Sequence, residues 1–115
     1  MTTVTFHSAN RRIDGFVVEG HSGYAEAGSD IVCAAISGVV GVTECPLNEV
    51  LGLGAPVKQK DGYVSLKLPG GLGQTNERTC QDLLAGMMVY LQALSEVYPD
   101  NLIVRLEDDD DDEEE

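Results

Sequence analysis

The order of hydrophobic patterns predicts an α+β domain of two layers: a mainly antiparallel sheet with two long helices on one face, in the order ββαββαβ. Three observations carry this. Short runs of alternating apolar and polar residues are closed by turn signals, two stretches have apolar residues at helical spacing, and a last apolar run follows Pro99. At 115 residues the chain has room for one core, so all elements share it.

Val4 and Phe6 alternate with polar neighbours. After a turn region at Asn10-Arg11-Arg12, the run Ile13 to Glu19 leads to Gly20, and together these read as a hairpin. From Ile31 the apolar positions 32, 35, 36, 39, 40 and 42 follow a helical period, with Ser29 or Asp30 as N-cap, which predicts a helix from about Asp30 to Leu51. Pro46 lacks an N–H and should kink or split that helix near Thr43 to Cys45. Gly38 and Gly41 lower helix propensity, and their spacing points to another element approaching closely. Val57 to Leu68 reads as a second hairpin closed at Asp61-Gly62. Beyond the linker Pro69 to Gly73, Thr75 or Asn76 caps a second helix with the apolar face Cys80, Leu83, Leu84, Met87, Leu91, Leu94 and Tyr98. Pro99 stops it, and Asn101 to Leu106 is the last strand.

The formal charge of −13 is unevenly placed. Glu107 to Glu115 is wholly acidic, which marks 107–115 as a solvated, disordered tail beside a domain over 1–106. The remainder has eleven acidic groups against seven basic ones. With no basic stripe or aromatic platform, direct nucleic-acid binding is not expected, and a basic protein partner fits better. The amino terminus has neither a basic n-region nor an apolar h-region, and the chain shows no stretch of bilayer-spanning length, which predicts a cytoplasmic protein with no membrane partner. Three cysteines in such a chain argue for reduced thiols, two of them packing residues.

His21 and Cys33 are the pair suited to chemistry. They flank a small flexible loop in the stretch Gly20 to Ala35; if a strand ends near Glu19 and a helix starts near Asp30, Cys33 lies in the first helical turn. Unpaired N–H groups and the positive end of the helix dipole favour a thiolate there. Histidine suits a nucleophilic thiol, because it takes the proton and returns it to a leaving amine. The competing readings are a buried inert cysteine and a solvated strand-end histidine. Asp30 is either the helix cap or the group that orients the imidazole. Glu26 reads as a solvated loop residue, and Tyr24 either stacks on a substrate or covers the site. Cys45 and Cys80 have no chelating spacing with either histidine, and the chain has no Cys-x-x-Cys, so no metal or other cofactor is expected. The glycines at 70–73 lack the Lys-Ser/Thr ending of a phosphate-binding loop. Ser22 and Ser37 lie near the dyad but have no base of their own.

The stretch from Gly20-His21 to Asp30-Ile31-Val32-Cys33-Ala34-Ala35-Ile36-Ser37 closely resembles the signature of the ribosomal-processing cysteine proteases, the Prp family. The resemblance extends more loosely over 1–106, through Glu49-Val50-Leu51-Gly52 and Tyr98-Pro99. It implies a small cytoplasmic homodimer of α+β fold that removes an N-terminal extension from large-subunit ribosomal protein twenty-seven. It makes Cys33 the nucleophile and His21 the base, matches Asp30 to the family's motif aspartate, and matches Gly20 and Gly28 to its loop glycines. The acidic tail and Pro46 depart from the pattern. The rival reading is a non-catalytic ribosome-assembly or peptide-binding module in which Cys33 is structural.

Overall fold

A computed structural model describes residues 1–26 and 30–109. It contains β1 (Thr2–Ala9), β2 (Arg12–Glu19), α1 (Ile31–Cys45) continued by a π-helical turn (Pro46–Val50), β3 (Val57–Lys60), β4 (Tyr63–Lys67), α2 (Gln74–Val97) and β5 (Leu102–Asp108). The strands form one sheet in the order β3-β4-β2-β1-β5. All pairs are antiparallel except β1 with β5, which are parallel. That pairing needs a connection across the whole sheet, which the intervening elements supply.

The alternation in β1 does what its period of two requires. Thr2, Val4, Phe6 and Ser8 are buried, while the residues between them face the more open side. Phe6 pairs with Phe16 and Val4 with Val18 across the hairpin. With Leu66, Leu84, Met87, Leu91 and Leu102, these residues form a core between sheet and helices. The hairpin turn is the two-residue loop Asn10-Arg11, both at positive φ (55° and 63°), and Arg12 already belongs to β2. That backbone matches the twist of the flanking strands.

Pro46 acts as its chemistry demands, with an unexpected result. The missing N–H ends the regular α-helix at Cys45, but the chain continues as a wider π turn, closed by Leu51 N–H to the Pro46 carbonyl at 2.9 Å. Leu47 is thereby still delivered to the core, fully buried. Asn48 locks the following loop, donating to Ala55 O (3.0 Å) and accepting from Ala55 N (2.7 Å).

Four expectations are corrected. The second helix starts at Gln74 with Gly73 in the cap position at φ 84° and no side-chain cap. Thr75 and Asn76 are helical, and Glu77 supplies a first-turn carboxylate that pairs with Arg12 at 2.7 Å. The last strand runs to Asp108, because its parallel register with β1 carries Glu107 beside His7 and Asp108 beside Ser8; the rest of the acidic run from residue 110 lies outside the described residues. No element of the described chain fills the spaces at Gly38 and Gly41, where an added Cβ would meet nothing within 4 Å. Finally, Ile31–Val50 is one helical run of 20 residues, long and apolar enough by length and composition to cross a membrane, contrary to the sequence expectation. Here it packs on the domain core through Val32, Ile36, Thr43 and Leu47.

Candidate active site

Strand β2 ends at Glu19, and Gly20 turns the chain toward the tip of the β3–β4 hairpin. Its φ of +91° suits glycine, and a Cβ there would lie 2.4 Å from the Met1 carbonyl oxygen. Its N–H donates to Gly62 O at 2.8 Å, tying the loop after β2 to the Asp61-Gly62 turn. His21 therefore lies across that turn. A Cβ on Gly62 would come within 3.0 Å of His21 Nε2, so glycine is what lets the ring settle there. The same Nε2 is 3.7 Å from Asp61 Oδ2, and both side chains are largely exposed.

Cys33 is the third residue of α1 and is half-buried. Asp30 is the N-cap, its Oδ1 accepting the Cys33 N–H at 2.9 Å. Its other oxygen, Oδ2, accepts the Ser22 hydroxyl. The Ser22 oxygen in turn accepts from the Cys33 thiol at 3.5 Å and from Tyr24 N–H at 3.3 Å, while Ser22 N–H donates to Cys33 Sγ at 3.5 Å. Ser22 is almost fully buried, while Asp30 and Cys33 keep partial access to the adjoining cavity. The Ser22 hydroxyl, with the N–H groups of Cys33 and Ala25, holds the Asp30 carboxyl down to about 2, against an ordinary 3.8.

His21 and Cys33 open onto the same two adjoining cavities, of about 250 and about 650 Å³. Among the described residues the thiol is hydrogen-bonded to Ser22, while Asp61 is the acidic neighbour of the imidazole. Of the two readings of Asp30, the cap is the one observed. Tyr24 packs edge-on against Tyr98 with ring centroids 5.4 Å apart, which fastens the loop to the end of α2. Asn101 adds a second fastening, its Nδ2 donating to Ser22 O at 3.0 Å. Gly28 lies outside the described residues, and Glu26 is exposed.

The other cysteines divide unexpectedly. Cys80 is fully buried, and burial pushes its thiol pKa up, so it is the packing residue anticipated. Cys45 is exposed on the outer side of α1, because it falls opposite the buried residues Ile36 and Thr43. The sequence did not reveal that Asp61 and Gly62 belong to the site. Their Asp-Gly signal announces a turn, and only the fold brings that turn to a histidine forty residues earlier.

With this geometry in view, comparison with known proteins is consistent. The family model for cysteine protease Prp matches residues 1–103. The ribosomal processing cysteine protease Prp of Bacillus subtilis is 32% identical over 102 residues, covering 84% of this chain and 88% of that protein. The fold resembles that of the essential ribosomal processing protease Prp from S. aureus in complex with a covalently linked product peptide, with a TM-score of 0.82, 24% identity, and coverage of 93% of this chain and 100% of the other. It also resembles SMU.848 from Streptococcus mutans, with a TM-score of 0.76, 22% identity, and coverage of 94% and 95%. The family match over nearly the whole domain sets aside the non-catalytic module: this chain belongs to the Prp family of cysteine proteases.

Proposed function

We propose that Cys33 and His21 are the catalytic dyad and that the enzyme removes an N-terminal extension from large-subunit ribosomal protein twenty-seven, acting as a cytoplasmic homodimer. The observation that carries the dyad is convergence: a strand-end imidazole and a helix-start thiol open onto the same cavities, across a loop held by Ser22 and Asp30. The ribosomal substrate is supported by the names of relatives, a ribosomal processing protease from B. subtilis and one from S. aureus bound to a substrate peptide. A mildly acidic body favours encounter with a basic protein through long-range attraction, which salt weakens.

In this mechanism the Cys33 S–H gives its proton to His21, and the sulfur attacks the scissile carbonyl carbon. The Cys33 hydrogen bond to Ser22 must first yield, so substrate binding has to turn the thiol from Ser22 toward the imidazole. The positive end of the α1 dipole favours the developing oxyanion, although the Cys33 N–H itself is taken by Asp30. The tetrahedral intermediate collapses to a thioester as the C–N bond breaks, and His21 returns the proton to the departing amine. Water, deprotonated by His21, then cleaves the thioester, releasing the carboxylate and restoring the S–H.

The test is incubation of the protein with the extended ribosomal protein, reading the new amino terminus by mass spectrometry, with Cys33→Ala and His21→Ala as controls. A single new terminus produced only by the unaltered enzyme supports the proposal. An intact extension after prolonged incubation with active enzyme removes the assigned substrate.

A further inference from the structure

The dyad stands at one end of a longer groove. The cavity holding His21 and Cys33 is bounded by Val18, Ile36, Ser37, Gln59 and Val64. A third cavity, of about 200 Å³, begins at those same five residues and continues along α1 to Val40, Gly41 and Glu44, with Val57 opposite. The floor is the sheet edge, where β3 pairs on one side only and is exposed along its length. Apolar walls meet at Gly41, where the absent side chain leaves open space. The glycine spacing that suggested a close neighbour is thus not answered by any described part of this chain.

Among the described residues, Glu44 is the one charged residue lining the far half of this groove. Asn48 Nδ2 donates to its Oε2 at 2.9 Å, fixing the side chain without neutralising it. No cation among the described residues forms an ion pair with it. On the other side of the dyad lies the larger hollow lined by Gly23, Ala25 and Asp61. The narrow groove suits one extended strand, and the wider hollow suits the body of a folded protein.

Resting on the protease reading above, we infer that Gly41 and Glu44 are specificity-determining residues. The groove takes the extended peptide on the amino-terminal side of the scissile bond, with an apolar side chain over Gly41 and a Lys or Arg side chain on Glu44. The spacing follows from elementary geometry. Helical rise places Gly41 about 12 Å and Glu44 about 16 Å along α1 from Cys33, and an extended peptide advances about 3.3 Å per residue. The apolar residue therefore stands about four positions upstream of the cleaved bond and the cationic one about five.

The test uses a randomised, N-acetylated synthetic peptide library, so that side chains are the only upstream cations. The unaltered enzyme, Glu44→Lys, Gly41→Leu and Glu49→Lys are compared by sequencing the products. The unaltered enzyme should enrich Lys and Arg about five positions upstream; Glu44→Lys should reverse that preference toward Asp and Glu, with KM for cationic peptides raised about tenfold. Gly41→Leu should fold, since leucine favours a helix more than glycine and its Cβ meets nothing within 4 Å, and it should raise KM by a similar factor with a smaller change in kcat. Glu49→Lys makes the same charge change on an exposed position outside the groove and should keep the unaltered pattern. Cleavage by the unaltered enzyme without an upstream preference, or an unchanged pattern in Glu44→Lys, overturns the inference while leaving the protease reading intact. No cleavage of any peptide by the unaltered enzyme would count against both.

Discussion

Asp30 accepts the Cys33 backbone N–H at 2.9 Å with one carboxylate oxygen and the Ser22 hydroxyl with the other, so one acidic side chain fixes both the helix start and the residue touching the thiol. Loss of that carboxylate would therefore loosen the first turn of α1 and free the Ser22 hydroxyl together.

That arrangement predicts a specific acid sensitivity. Asp30 has a folded-state pKa of about 2, below its ordinary 3.8, so its stabilisation is present in full above about pH 4 and is lost as pH falls toward 2. Asp30→Asn keeps a competent cap but cannot titrate. The difference in urea midpoint between the unaltered protein and Asp30→Asn should shrink steadily between pH 4 and pH 2. A difference that stays constant over that range would show that the carboxylate charge contributes no net stability.

Gly20→Ala should be costly for a surface position. The new methyl would carry a φ of +91° and lie 2.4 Å from the Met1 carbonyl oxygen, so either β1 shifts or the loop does. A loss of about 1–3 kcal/mol in denaturant-derived stability is expected, with peptidase activity falling further because His21 moves with the loop. An alanine variant of unaltered stability and activity would mean that this turn is not under constraint.

Asp61→Asn should slow peptide cleavage modestly. The carboxylate is 3.7 Å from His21 Nε2 but almost fully exposed, and exposed pairs contribute at most about 1 kcal/mol, or roughly a fivefold change in rate. The loss should fall mainly on kcat, be recovered in part by Asp61→Glu, and fade at high salt. If kcat is unchanged at low ionic strength, Asp61 has no part in positioning the imidazole.

Much of the fold was legible because local chemistry and tertiary structure agree. The Asp61-Gly62 turn, the Pro46 break and the Asp30 cap are each enforced by a residue's own backbone or side-chain preference. What escaped the sequence depends on partners distant in the chain. The parallel register of β5 with β1 draws Glu107 and Asp108 out of an acidic run into a strand. Glu77, engaged by Arg12 from β2, stands in the first turn of a helix that has no side-chain cap. The exposure of Cys45 follows from which face α1 turns inward, a choice the apolar period recorded imperfectly, since it included Val42, which the fold leaves exposed. In the site, the convergence of His21 and Cys33 was readable from strand-end and helix-start signals, whereas Ser22 as the thiol's partner and Asp61 beside the imidazole required the folded chain.

The most direct test is built into the molecule, because Cys45 is an exposed thiol outside the candidate site and Cys80 is a buried one. Iodoacetamide labelling at neutral pH, followed residue by residue by mass spectrometry, should modify Cys33 at least about tenfold faster than Cys45, leave Cys80 unmodified in the folded protein, and lose the Cys33 advantage in His21→Ala. Labelling of Cys33 no faster than Cys45, or a fast rate indifferent to His21→Ala, would contradict the assignment of the dyad.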